Sequence, residues 1–255
     1  MTVMQLRWGL STHVGQVRHA NQDSAMANGV LFVVADGMGG HQGGEVASAI
    51  VAEHFVDIAS VDTVDELAEA FDDANRTIRE KASKDPNLSG MGTTVVALAV
   101  LSSETDDMKL ACANVGDSRM YRLEDDRLVQ MTLDHSLVAE LARAGQITEK
   151  DAANHPQRNV LTRALGVDDD VAVDHWLFPA IVGHRYLLCS DGLVNEVSDE
   201  QIRDALREID DPNAVAQHLV DMANAAGGRD NVTILVVDIV EAADGIECDP
   251  AETQN

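Results

Sequence analysis

Five runs of apolar, largely β-branched residues constrain this chain most: Leu31 to Ala35, Thr94 to Leu101, Lys109 to Val115, Arg185 to Ser190 and Val232 to Val240. Such continuous apolar character is the mark of strands covered on both faces. Shorter extended stretches run over Arg7 to Ser11, Ser118 to Leu123, Leu128 to Met131 and Val171 to Leu177. Central runs are joined by turns such as Asn114-Val115-Gly116-Asp117, too short for a crossover helix, which predicts antiparallel pairing. Ala47, Val51, Phe55 and Ile58 recur at helical spacing, as do Leu67, Phe71, Ala74 and Ile78. Later, Ser198 and Gln201 have capping-box spacing, and Asp211-Pro212 opens a helix that Gly227 can end. Helices before and after the strand runs favour a layered α/β sandwich with helices on the outer faces.

With 255 residues, 45% hydrophobic and 24% charged, the chain can bury one substantial core. One domain is expected over 1–240, containing a loosely patterned flap region at 134–166 with a helix cap at Thr148. Residues 241–255 read as an acidic C-terminal tail. The 44 acidic against 18 basic residues give a formal charge of −26, which argues against nucleic acid and anionic membranes as partners. No apolar stretch reaches the ~20 residues that span a bilayer, and no signal-peptide pattern opens the sequence. Cys112, Cys189 and Cys248 lack paired or metal-like spacing, consistent with a reducing cytoplasmic setting.

Asp36 follows the run Leu31 to Ala35 and precedes Gly37-Met38-Gly39-Gly40; Asp191-Gly192 follows Tyr186 to Ser190 in the same way. Asp230 sits between Gly227-Gly228-Arg229 and the last long run. Each Asp-Gly alone is an ordinary turn former. Three carboxylates at sheet ends can converge, and hard cations such as Mg²⁺ or Mn²⁺ would relieve their repulsion. Zinc would call for Cys or His clusters, which the sequence lacks. Arg18 and Asp23 lie in a polar segment ahead of the first clear core strand.

Several ordered motifs span roughly Gly9 to Val237: Arg18-His19-Ala20-Asn21-Gln22-Asp23, VADGMGGH at 34–41, Gly92-Thr93-Thr94, NVGDSR at 114–119, DHS at 134–136, HPQRNVLTRALG at 155–166, CSDGL at 189–193 and GGRDNVT at 227–233. In these the chain resembles the type 2C metal-dependent (PPM) serine/threonine protein phosphatases, particularly their bacterial branch. The resemblance implies an α+β layered sandwich: two packed antiparallel β-sheets flanked by helices, with the flap as an insert. It implies hydrolysis of phosphoserine and phosphothreonine in proteins by a water or hydroxide bridging two Mn²⁺ or Mg²⁺ ions. Asp36 would bridge both ions, the Gly37 carbonyl would bind the second, and Asp191 and Asp230 would bind the first. Asp117 corresponds to the ligand of a third, weaker site, and Arg18 to the phosphate-binding arginine.

Gln22 and Asp23 would stand just behind the metal ligands, Gln22 where many relatives carry Glu. Met38 occupies the position at which the eukaryotic pattern places a histidine. His41 and His155, or a metal-bound water, are then the candidates to protonate the departing alkoxide. Expected partners are phosphorylated proteins, including Ser/Thr kinases and their substrates, met by a monomer. The competing expectation is a catalytically silent phosphoprotein-binding module, which would be expected to lose the carboxylates that this sequence keeps.

Overall fold

The computed structural model describes residues 4–39, 42–102 and 108–241. Strands β1 (Met4–His13), β2 (Asp23–Ala27) and β3 (Leu31–Met38) lead into helices α1 (Gly43–Val56) and α2 (Val64–Lys84). The strands β4 (Gly92–Thr93), β5 (Val95–Leu101), β6 (Lys109–Val115), β7 (Arg119–Glu124) and β8 (Arg127–Gln130) follow. Then come α3 (Leu137–Arg143), α4 (Glu149–Ala153), β9 (Asp174–Pro179), β10 (Arg185–Cys189), α5 (Asp191–Val194), α6 (Asp199–Glu208), α7 (Pro212–Ala226) and β11 (Val232–Glu241). One sheet has the order β1-β11-β10-β7-β8; the other is β2-β3-β5-β6-β9, with β4 added beside β3. Their strand pairs are antiparallel.

Why the strand runs are apolar throughout is visible in their alternation. Leu31, Val33 and Ala35 pack with Val51, Phe55, Leu67 and Phe71 under α1 and α2, whereas Phe32 and Val34 point into the layer between the sheets. On β11, Val232, Ile234 and Val236 face α6 and α7, while Leu235, Val237 and Ile239 face the same inter-sheet layer. Both faces of each central strand are therefore buried, which removes the polar alternation of a half-exposed strand. The capping boxes form at Thr148 and Ser198, and the Asp211 side chain caps α7, which ends at Gly227.

One sequence expectation is corrected. Strands β6 and β7 do not pair with each other; the Gly116 turn carries the chain from one sheet to the other. A short link requires only that two strands be neighbours, and in a sandwich the neighbour can lie in the opposite layer. Gly116 has a φ of 108°, and a Cβ there would come within 2.5 Å of the Thr94 side chain, so the step admits only glycine. Beyond Glu241 the expected tail, with Cys248, lies outside the described residues. Among the described residues no helix is long and apolar enough to cross a membrane.

The 134–166 segment is tied down at both roots. Isolated bridges join Ser136 to Leu161 and Thr93 to Leu165. Asn75, buried in α2, accepts the Gly166 N–H at 2.6 Å and donates to the carbonyls of Asp168 and Asp169 at 3.0 and 3.2 Å. Losing this clamp leaves buried backbone groups unpaired. Asn75→Ala should lower stability by about 2 kcal/mol in urea unfolding and increase protease cleavage near Gly166; wild-type cleavage kinetics would show that Asn75 does not hold the root.

Candidate metal centre

Strand register brings the carboxylates together. Asp36 lies near the end of β3 and is the cross-strand partner of Asp23 on β2. Asp191 begins α5 directly after β10, and Asp230 immediately precedes β11, which pairs antiparallel with β10. Asp117 occupies the turn between β6 and β7, and β7 pairs with β10 through Arg119 and Cys189. Asp23, in a polar segment of the sequence, is a buried residue that opens β2, a strand the sequence did not indicate. The polar run from Arg18 to Ser24 leaves β2 without a periodic signal.

Neutral groups hold the backbone around these side chains. The Asp36 N–H donates to Thr94 Oγ1 at 3.2 Å, and its carbonyl accepts from the Thr94 N–H and Thr93 hydroxyl, both at 2.9 Å. Ser190 donates its hydroxyl to Asp23 Oδ2 at 2.8 Å and accepts the Thr233 N–H at 3.0 Å. Asn231 accepts the Gln22 N–H at 2.8 Å and donates to the carbonyls of Val14 and Ala20 at 2.9 Å, closing the loop that carries Arg18. Ser190 and Asn231 escaped the sequence reading because a lone polar residue beside an Asp has no spacing to mark it. Gly37 lies against α1: a Cβ there would fall 2.1 Å from the Gly44 carbonyl oxygen.

The electrostatics are unfavourable as they stand. Burial, and then the charges of Asp23, Asp191, Asp117 and Asp230, hold the Asp36 carboxyl well above the usual carboxylate range. Burial pushes Asp23 up to about 7 against hydrogen bonds from Thr233 and Ser190. Burial and then Asp191 raise Asp117 to about 8. Asp191 is raised by burial and by Asp230, partly relieved by a hydrogen bond shared with Asp36. The Asp23 Oδ1 atom is buried without a hydrogen-bond partner. Arg18, half exposed at the mouth, pairs with Asp230 at 2.6 Å.

Among the described residues no three His, Cys, Asp or Glu side chains stand close enough to form a finished metal shell. The donor set nevertheless fits hard divalent cations: crowded carboxylates, an unpartnered carboxylate oxygen and the glycine carbonyl beside Asp36. Cation charge would lower the cost of ionising carboxyls that burial and mutual repulsion push towards the protonated form.

The remaining sequence candidates separate. His41 lies outside the described residues. His155 is half-buried in the flap, where its Nδ1 accepts the Gln157 N–H at 3.1 Å, and no described hydrogen bond or ion pair joins it to the carboxylates. His135, within the DHS motif, is buried and accepts the Gly116 N–H on Nδ1 at 3.1 Å. Its Nε2 lies 3.1 Å from Asp174. Burial lowers its pKa, so the neutral ring buttresses the turn that presents Asp117. A cavity of about 480 Å³ between the start of α2 and strands β6 and β9, lined in part by Lys109, His175 and Leu177, includes none of the five carboxylates.

Comparison with known proteins gives this geometry a context. The family model described as Protein phosphatase 2C matches residues 13–233. A serine/threonine phosphatase, stp, from Listeria welshimeri is 39% identical over 240 residues, covering 89% of this chain and 93% of its own. The crystal structure of the Mycobacterium tuberculosis serine/threonine phosphatase PstP/Ppp superposes with a TM-score of 0.85 at 39% identity, covering 93% of this chain and 99% of that one. A structure of the PstP catalytic domain in complex with two manganese ions has a TM-score of 0.85 at 37% identity, covering 94% of this chain and all of that one.

Because the carboxyl pKa values are raised, the folded chain without cations holds protons that the unfolded chain releases above pH ~4. Its stability should therefore fall as pH rises through about 7 for Asp23 and about 8 for Asp117. In excess chelator, Tm should drop between pH 5 and pH 8, and Asp117→Asn should stabilise the protein at pH 8 by on the order of 2–4 kcal/mol. A chelated Tm that climbs over this interval would show that the carboxylates are not crowded.

Proposed function

The chain belongs to the protein phosphatase 2C family, and from that membership we propose how its carboxylate cleft removes phosphate from phosphoserine and phosphothreonine in proteins. The observation that carries the proposal is the group of crowded, mostly half-buried carboxylates brought together at strand ends and turns, with Arg18 paired to Asp230 beside them. We assign Asp36, the Gly37 carbonyl, Asp191 and Asp230 to two Mn²⁺ or Mg²⁺ ions, and Asp117 to a third. When bound, these ions offset the phosphate charge and acidify water at the site.

The chain's own groups supply positioning. Gln22 is fixed through its backbone by Asn231, Gly37 and Ser48, and Asp23 is fixed through Ser190, so both back the ligands from a rigid layer. Arg18 neutralises Asp230 in this structure. With Asp230 engaged by a cation, the Arg18 guanidinium would be available to bind two phosphate oxygens with its fork of donors. Met38 cannot donate a proton. His155 keeps its proton on Nε2 when Nδ1 accepts the Gln157 N–H, and it remains, with His41, a candidate to protonate the departing alkoxide.

The substrates follow from charge and site. A chain of net charge −26 repels extended anionic surfaces, while a single phosphate is drawn in by the cations and Arg18. We place the protein in the cytoplasm as a monomer acting on phosphorylated proteins, Ser/Thr kinases and their substrates among them. Purified protein with Mn²⁺ should hydrolyse p-nitrophenyl phosphate and phosphothreonine peptides, with activity abolished by chelation. Asp36→Ala should cost about 10³-fold or more in kcat, and Arg18→Ala about tenfold in kcat/KM, chiefly through KM. Metal-replete wild type without turnover on either substrate would leave only the silent binding module.

A further inference from the structure

On β3, Phe32 and Val34 face the inter-sheet layer. Strand alternation places Asp36 and Met38 on that same face, about 6.6 Å apart along the strand. Met38 pairs with Gly92 across β3 and β4. A Cβ built on Gly92 would come 2.9 Å from Met38 Cε, 3.5 Å from Val167 Cγ2 and 2.7 Å from the Leu165 carbonyl oxygen. The Met38 and Val167 side chains thus approach each other over a residue that must be glycine. Val167 is 55% exposed and Met38 is half-buried, so the surface they make is open. Asn75 fixes the adjacent Gly166 backbone, and the exposed Asp168, Asp169 and Asp170 follow directly.

We propose that Met38, Gly92 and Val167 form an apolar shelf beside the carboxylate cleft that receives an apolar side chain of the phosphorylated segment, within two residues of the phosphoresidue. The inference rests on the phosphatase activity of this site and adds a sequence preference to it. A flexible thioether and a fixed valine offer a dry contact at the first pleat beyond Asp36. Asp168 and Asp170 repel an acidic residue presented to the same place, while Asp169 is paired with Arg79. The Met38 and Val167 side chains carry no charge, so they match an apolar occupant, and the neighbouring carboxylates disfavour acid. Covering on the order of 40 Å² of apolar surface corresponds to about a fivefold change in affinity.

The test uses nonapeptides centred on phosphothreonine in an alanine-glycine background, with Leu or Asp placed in turn at each of the two positions on either side. Wild-type protein with Mn²⁺ should show, at one position at least, kcat/KM about fivefold higher for Leu than for Ala, expressed in KM, with Asp below Ala. Val167→Ser and Met38→Ser should each move the Leu-to-Asp ratio towards one, and Val167→Lys should invert it. The ratio is compared within each variant, so a general loss of activity or folding does not alter it. Flat ratios at all four positions in wild type, or a preference that survives both serine variants, would overturn the shelf. Hydrolysis of p-nitrophenyl phosphate alongside flat peptide ratios removes the shelf alone, whereas no turnover of any substrate removes the phosphatase assignment and the shelf together.

Discussion

The rest of this structure depends on carboxylates that are crowded together, mostly half-buried, and for the most part left without a matching cation of their own. The same fold shows what a purely structural buried carboxylate receives. Asp238 is gripped by Arg185 through Nε and an Nη nitrogen at 2.6 and 2.8 Å, and Asp134 is held by Arg119 in the same forked manner. Asp23, Asp36, Asp117 and Asp191 form no ion pair with a Lys or Arg among the described residues. Asp23 accepts from the Ser190 hydroxyl and Asp191 from the Asn195 amide, and Arg18 and Arg119 act on Asp191 and Asp117 only through space. Ion pairing is thus available to this sequence and is withheld at one place. A cluster that raises its own pKa values in this way is poised for added positive charge.

Holding such a cluster requires a scaffold whose stability is secured elsewhere. Three apolar layers do this: one beneath α1 and α2, one beneath α6 and α7, and one between the sheets. Each central strand contributes alternate residues to two of them, so a single run of apolar residues locks helix to sheet and sheet to sheet. The carboxylates occupy strand ends and turns, where the apolar pattern stops and the register is already fixed. Glycine contacts then set the last few ångströms, at Gly37 against Gly44 and at Gly192, where a Cβ would sit 1.9 Å from the Asn231 carbonyl oxygen.

Much of this was legible in the sequence for a physical reason. Continuous apolar runs, helical stripes and capping boxes are local patterns, and the strands and helices formed where they indicated, including the caps at Thr148 and Ser198. The carboxylates were legible because each follows or precedes an apolar run, and the family resemblance grouped them. What escaped is non-local. Asp23 reads as a lead-in residue until its pairing with Asp36 is known. The step from β6 to β7 reads as a hairpin until the layers are known. Asn231, Ser190 and His135 act by reaching backbone atoms or carboxylates distant in sequence. No periodicity announces such contacts.

The acidic surface and the proposed phosphate site are compatible because they would act over different distances. Screening confines exposed charges to about 8–10 Å at ordinary ionic strength. Within that range of the mouth, Arg18 is fixed by a contact it can exchange, the pair with Asp230, while Asn231 holds the roots of its loop. A guanidinium anchored by its loop and satisfied by a carboxylate costs little side-chain entropy to redirect onto a phosphate. Asp230 would therefore be the hinge of the electrostatics: it pairs with Arg18 in this structure, and a cation held by Asp230 would leave Arg18 without that partner. In the proposed site, binding of cations and availability of Arg18 for phosphate would be linked through the single carboxylate just ahead of β11.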